Sequence, residues 1–291
     1  MMGAVPLISG LSRLAGRYDG FVLDLWGVIH DGVEAYPGVV ATLAALRTAG
    51  KRTVMLSNAP RRSAALIEQL GRLGIARDLY DEVMSSGEAV HLELERRTDP
   101  AFAALGRRLY HLGPERDRNV FEGLDYRPAG LDEADFVLNT GPVDLTESVA
   151  DYQDALDRAL ARRLPMVCAN PDHVVIRQGS RVTCAGAIAE RYADMGGAVV
   201  WRGKPDPAIY DLALARLGVA DRKRVCAVGD ALHTDIKGAR LAGFDAVLVT
   251  GGIHAEELGV RWGEAPVPAR LDDLVRRHGE TPVAAMVKFC W

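Results

Sequence analysis

Short runs of aliphatic and β-branched residues recur along the chain, each closed by a polar or glycine-bearing turn. They include Gly20-Phe-Val-Leu23, Thr53-Val-Met-Leu56, Glu82-Val-Met-Ser85, Val199-Val-Trp201, Arg224-Val-Cys-Ala-Val228 and Ala246-Val-Leu-Val249. Runs this short and this continuously apolar read as buried strands of a parallel sheet. Helical stretches separate them. Gly38 to Ala49 follows Pro37 and stops at Gly50, as helix ends do. After Asn58-Ala-Pro60, the residues Ala64, Leu66, Ile67, Leu70 and Leu73 form a stripe of helical period that ends at Gly74. Strand and helix in alternation predict the α/β class, as a Rossmann-like doubly wound parallel sheet.

From about Phe102 the spacing changes. Strands at Arg108–Leu112, Asp135–Asn139 and Pro165–Cys168 alternate with more polar helical stretches, and Val174–Ile176 with Arg181–Thr183 read as a hairpin around Gln178-Gly-Ser180. The alternation of the first part resumes at Gly186. The expected organisation is a discontinuous core, residues 1–86 and 185–291, with a smaller α/β cap domain, residues 87–184, inserted into it. The two crossings, near Gly87 and Cys184, would form the hinge.

Composition narrows the classes. A chain of 291 residues buries an ample core without disulfides. Its net charge of −4 is interspersed, and the longest basic cluster, Arg276-Arg-His278, is too short for a nucleic-acid surface. The four cysteines, Cys168, Cys184, Cys226 and Cys290, show no metal or redox spacing and suit a reducing cytoplasm. No apolar run reaches the roughly 18 residues of a membrane span. The stretch from Met1 to Gly20 lacks the charged start of a secretory leader. The expected partner is a small molecule, not nucleic acid or membrane, and a homo-oligomer stays open.

The polar residues that end these runs carry the candidate chemistry. Asp24, Ser57 with Asn58, Lys204, and Asp230 with Asp235 each follow an apolar run. Open α/β sheets gather their chemistry beyond the carboxyl ends of their strands. A carboxylate, a hydroxyl, an ammonium and two further carboxylates are therefore expected at one sheet edge. Each also has a plainer reading. Asp24, Asp230 and Asp235 serve equally as caps of a following turn or helix, Ser57-Asn58 as a helix N-cap, and Lys204-Pro205 as a helix entry.

The order of these motifs resembles the haloacid dehalogenase-like superfamily of aspartate-nucleophile hydrolases. The segments Asp24-Leu-Trp-Gly-Val-Ile-His-Asp-Gly, Val83-Met-Ser-Ser-Gly-Glu-Ala-Val and Gly203-Lys-Pro-Asp-Pro-Ala-Ile-Tyr resemble its class IIA, NagD-like subgroup, which has a large α/β cap. The resemblance implies a Mg²⁺-dependent hydrolase of small phosphate monoesters, such as a sugar phosphate, nucleotide or phosphorylated cofactor. Asp24 would be the nucleophile that forms an aspartyl-phosphate. Lys204 would steady it, and Ser57 and Asn58 would donate to the phosphoryl oxygens. Asp24, the backbone carbonyl of Trp26, Asp230 and Asp235 would hold the metal, an oxygen-rich set of the kind Mg²⁺ takes. In the cap, Asn170 and Asp172 of Cys168-Ala-Asn-Pro-Asp172 resemble the loop that faces the active site in this subgroup.

One position departs from the pattern. Phosphatases of the superfamily carry an acid–base aspartate two residues after the nucleophile, and here that residue is Trp26. Indole cannot shuttle a proton. His30, in the following loop, is the candidate replacement, with His254 behind it. The same departure leaves two alternatives: a catalytically weak protein that binds a phosphometabolite, or a metal-independent hydrolase with dehalogenase-like chemistry.

Overall fold

The alternating faces of the central strands explain their unbroken apolar runs. In β1 (Gly20–Leu23), Phe21 and Leu23 enter one buried cluster while Val22 enters another on the opposite side. In β2 (Arg52–Ser57), Met55 enters the first cluster, and Val54 and Leu56 the second. A strand covered on both faces has no polar face to show. The protein, seen here in a computed structural model, is described over residues 4–291; Met1 to Gly3, the start of the stretch read above for a leader, lie outside the described residues.

The remaining strands are β3 (Glu82–Ser85), β4 (Arg108–Leu112), β5 (Arg127–Pro128), β6 (Phe136–Asn139), β7 (Met166–Cys168), β8 (Val174–Arg177), β9 (Ser180–Thr183), β10 (Val199–Trp201), β11 (Val225–Gly229), β12 (Asp245–Val249) and β13 (Ala284–Met286). The first sheet has the order β13-β12-β11-β1-β2-β3, with every pairing parallel. The chain leaves β1 toward β2 and β3, then returns to build β11 to β13 on the other side. Strand order therefore reverses at the β1–β11 boundary, where a crevice opens beyond the carboxyl ends. This is the Rossmann-like arrangement that the sequence predicts.

A second parallel sheet has the order β10-β7-β6-β4-β5, and β8 with β9 form a separate antiparallel hairpin. The hairpin turn places Gln178 and Gly179 at φ of 47° and 76°, the left-handed pair that suits tight hairpins. Among the described residues, no helix is long and apolar enough to cross a membrane.

The expected return to the core at residue 185 is corrected by the structure. The helix Ala185–Asp194 buries Ile188 and Tyr192 in the cluster under the second sheet, and β10 pairs in parallel with β7. The run Val199-Val-Trp201 thus belongs to the second sheet. A three-residue apolar strand carries no mark of which sheet it joins, so its neighbours decide. The return crossing is the segment Arg202-Gly203. The outward crossing is the helix Ser86–Arg96, where Ala89 packs with the first sheet and Val90 and Leu94 with the second. Gly87 fits that helix against the loop after β2, since a Cβ there would lie 2.2 Å from the carbonyl oxygen of Pro60. β5 and β13 are elements that the hydrophobic runs did not reveal, being only two and three residues long.

Candidate active site

Three strand ends of the first sheet supply three parts of the site. Asp24 follows β1, Ser57 closes β2, and Asp230 follows β11. Lys204 arrives differently: it follows β10 of the second sheet and reaches back across the crossing. Its Nζ donates to Asp24 Oδ1 at 2.5 Å and to Asp235 Oδ1 at 2.7 Å. All five groups are buried. Asp230 Oδ2 accepts from the backbone N–H of Ile253 at 2.6 Å. Asp235 Oδ2 accepts from the N–H of Ala231 at 3.2 Å, so Asp235 both caps its turn and faces the cluster. Two glycines wall Asp230 in: a Cβ on Gly27 or Gly252 would lie 2.0 or 2.1 Å from its Oδ2.

The electrostatics are those of a cation site. Carboxylate oxygens of Asp24, Asp230 and Asp235 lie within 4.8 Å of one another. Burial raises the Asp24 carboxyl well above its usual range even against Lys204, and burial with the Asp235 charge brings Asp230 up to about 7. Three buried carboxylates face one ammonium, and a divalent cation offsets the surplus negative charge. The residues present therefore fit a divalent metal, with only hard oxygen donors offered.

Asn58, expected to donate to the phosphoryl group, has its side chain engaged within the protein: Nδ2 donates to Asp172 Oδ1 at 2.7 Å and to the carbonyl of Lys204 at 3.3 Å, while Oδ1 accepts from Lys204 N at 2.7 Å. An amide has two donor hydrogens, and both are used. Asn58 instead fixes Lys204 and ties the two lobes together. Ser57 lines the cleft, and its Oγ accepts from Ala59 N at 3.2 Å, which leaves its own proton to donate. The helix after this loop begins at Ser63 with Arg62 at its N-cap, so neither Ser57 nor Asn58 caps it.

The two candidate histidines are also placed elsewhere. His30 is buried, its ring lies edge-on to Trp26 at 5.3 Å, and its Nδ1 accepts from Gly32 N at 3.0 Å. Burial holds it down at about 4, so it is a neutral packing ring that lines no cleft at the site. His254 Nε2 accepts from Leu232 N at 3.2 Å, and burial holds it at about 4 as well. Both are structural acceptors in loops whose backbone donors no sequence pattern announces. His233, Tyr36 and Gly252 do face the cleft and were not foreseen as site residues. The sequence signal for His233 was its place between Asp230 and Asp235.

Two clefts meet here. One, of about 310 Å³, is lined by Asp24, Ser57, Lys204, Asp230 and Asp235 from one side and by Asp172 and Val175 from the other. The second, of about 570 Å³, holds Arg61, Arg116, Asn170 and Arg177. Trp26, Asp172 and Val175 line both. Asp172 thus stands where the cap loop meets the nucleophile, and Asn170 lines the second cleft beside it.

Comparison with known proteins agrees with this geometry. The haloacid dehalogenase-like hydrolase family profile matches residues 21–127, and a second profile, of HAD-hydrolase-like proteins, matches residues 201–276. A hydrolase of the haloacid dehalogenase-like family from Brucella suis superposes with a TM-score of 0.83 and 32% identity, covering 97% of this chain and 100% of that one. A p-nitrophenyl phosphatase from Archaeoglobus fulgidus has a TM-score of 0.72 and 25% identity, covering 93% and 96%. The D-glycerol 3-phosphate phosphatase of Mycobacterium tuberculosis is 28% identical over 84% of this chain, which spans 66% of that relative's length. The chain belongs to the haloacid dehalogenase-like hydrolases, in the class IIA, NagD-like subgroup of phosphatases.

Proposed function

We propose that the protein is a Mg²⁺-dependent hydrolase of small phosphate monoesters that works through an aspartyl-phosphate on Asp24. The observation that carries this reading is the buried cluster at the strand-order reversal, where Lys204 bridges Asp24 and Asp235 beside Asp230. A carboxylate held by one ammonium in a cleft between the lobes is positioned to attack phosphorus. Lys204 also meets the charge that spreads over the equatorial oxygens in the transition state, and the Ser57 hydroxyl donates to one of them. Asp24, Asp230, Asp235 and the carbonyl of Trp26 would hold the metal. When bound, it offsets the negative charge of carboxylates and phosphoryl group together.

The substrate lies beneath a lid formed by the second lobe, with Asn170, Asp172 and the hairpin strands β8 and β9 facing it. Such a cleft takes small molecules, and the phosphatase names of several relatives support a monoester. We place the reaction in a reducing cytoplasm, on the strength of four free cysteines, three of them buried. Trp26, which offers no proton, favours one second reading, a phosphometabolite-binding protein.

Phosphate release from a panel of monoesters, with Mg²⁺ and with a chelator, tests the proposal. Release that requires Mg²⁺ is the expected result. Tight binding of one compound without release would support the binding protein, and metal-independent halide release from a 2-haloacid assayed alongside would support dehalogenase-like chemistry.

A further inference from the structure

The aspartyl-phosphate route needs one proton that no residue named so far supplies. When Asp24 attacks phosphorus, the bond to the leaving oxygen breaks and that oxygen keeps the electron pair. An alkoxide leaves slowly unless it is protonated. Trp26, two residues after the nucleophile, has no proton to give, and its indole packs against His30 and Gly32. His30 and His254 line neither of the two clefts at the site.

The groups that do line the nucleophile's cleft narrow the choice. Lys204 is committed to two carboxylates, and Asp230 and Asp235 belong to the cation cluster. Tyr36 stacks on Trp262, and burial pushes its hydroxyl up to about 12. His173 is half exposed, with its ring 3.6 Å from Glu190. His233 sits two residues from Asp235 in the cation cluster, with its ring packed beside those of His254 and His278 at 6.3 and 6.4 Å. Asp172 remains.

We propose that Asp172, carried by the second lobe, is the general acid and then the general base of this enzyme, in place of the residue that Trp26 displaces. The inference rests on the phosphatase reading above. Three observations support it. First, Asp172 and Asp24 line the same cleft but come from opposite lobes. In-line displacement needs the nucleophile and the leaving oxygen on opposite sides of phosphorus. Second, the carboxyl group is aimed and fixed: Asn58 Nδ2 donates to its Oδ1 at 2.7 Å, and Asp172 N donates to Asn170 Oδ1 at 3.0 Å. The same Asn58 accepts from Lys204 N, whose Nζ holds Asp24. Among the described residues Oδ2 has no hydrogen-bond partner, so it is the oxygen that holds the proton. Third, burial raises the pKa of Asp172 from the ordinary carboxyl value, opposed by Lys204 and by the Asn58 bond. A raised carboxyl holds its proton closer to neutral pH.

The step balances. The Oδ2 proton of Asp172 passes to the leaving oxygen, giving the alcohol and leaving Asp172 ionised. Asp172 then takes a proton from the water that attacks the aspartyl-phosphate. The bond from Asp24 to phosphorus breaks, Asp24 regains its electron pair, and inorganic phosphate departs.

The test is the first turnover of Asp172→Asn with two monoesters, p-nitrophenyl phosphate and glycerol phosphate, in the presence of Mg²⁺. Nitrophenolate leaves without a proton and glycerol does not. The asparagine keeps the acceptor for Asn58. The variant should release its first nitrophenolate at the parent rate and its first glycerol on the order of 10²–10⁴-fold more slowly. The retained nitrophenolate burst also reports a folded site. Equal loss with both esters would make Asp172 a merely structural tie between lobes, and no loss with either would remove it from the chemistry; both outcomes overturn the proposal. If the parent cleaves both esters and the ratio does not move, only the Asp172 assignment falls. If the parent cleaves neither, the phosphatase reading falls with it.

Discussion

Changing Asp24 to Asn keeps its shape and removes its negative charge. Lys204 would keep Asp235 at 2.7 Å, so no ammonium is stranded. Turnover should fall by on the order of 10⁴-fold or more, with the melting temperature unchanged. A variant that turns over at a large fraction of the parent rate would rule Asp24 out as nucleophile. Gly27 makes a complementary point. With φ at 77° and no room for a Cβ beside Asp230, Gly27→Ala should lower metal affinity by roughly 10–100-fold, measured by calorimetric titration with Mg²⁺. Asp117, away from the metal cluster, tests burial against nearby arginines. Its Oδ1 is buried without a hydrogen-bond partner, and burial lifts the carboxyl to about 6 from 3.8 even against Arg116 and Arg61. A folded carboxyl raised in this way holds its proton after the unfolded one has lost it. Its stability contribution is present below about 4 and lost as pH rises through 6, by up to about 3 kcal/mol. Asp117→Asn should flatten that part of the curve of stability against pH. At this scale the sequence shows which residues end the strands, and so it points to Asp24, Lys204, Asp230 and Asp235. It does not show that Asn58 spends its amide on Asp172, because that partner arrives from a loop 114 residues away.

Among the elements, the strands of the first sheet were legible because both of their faces are buried. β10 was misread because three apolar residues fit either sheet, and the pairing of Val199 with Met166 depends on a helix packed beneath the second sheet. The hairpin of β8 and β9 was legible because its turn chemistry is local. Val175 and Ile176 reach the nucleophile's cleft from β8. Gly179 sits at φ 76° in an exposed turn. Gly179→Val should strain that turn by about 1–2 kcal/mol per residue forced left-handed and loosen the hairpin. The expected outcome is a raised KM with little change in kcat; a fall in kcat with KM unmoved would show that the hairpin does not shape binding.

Over the whole molecule, two parallel sheets share no strand, and the nucleophile's cleft lies between the strand-end loops of the first sheet and the loop and hairpin that follow β7. Their covalent links are the helix Ser86–Arg96 and the segment Arg202-Gly203. We expect the lobes to close on a bound phosphoryl group. Small-angle scattering with Mg²⁺ and orthovanadate should show a smaller radius of gyration than the free enzyme, and an unchanged radius would argue for a permanently closed cleft. Sheet class and the presence of an inserted unit were legible from the change in strand spacing. Where the insertion ends was not, since that boundary is set by side-chain burial under β7 and β10.

The route taken by Lys204 matters to anyone who would exchange lids between relatives to change what they cleave. A graft cut at Cys184, where the motif spacing suggests a seam, would part β7 from β10 and leave Ile188 and Tyr192 without the cluster they fill. A graft cut after Trp201 would carry the sheet whole and leave Lys204 with its host. Even then the transplanted loop must bring an aspartate that Asn58 can grip, because recipient and donor are stitched by that bond. Chimeras would therefore succeed in matched pairs of lid loop and Asn58, and fail as free combinations.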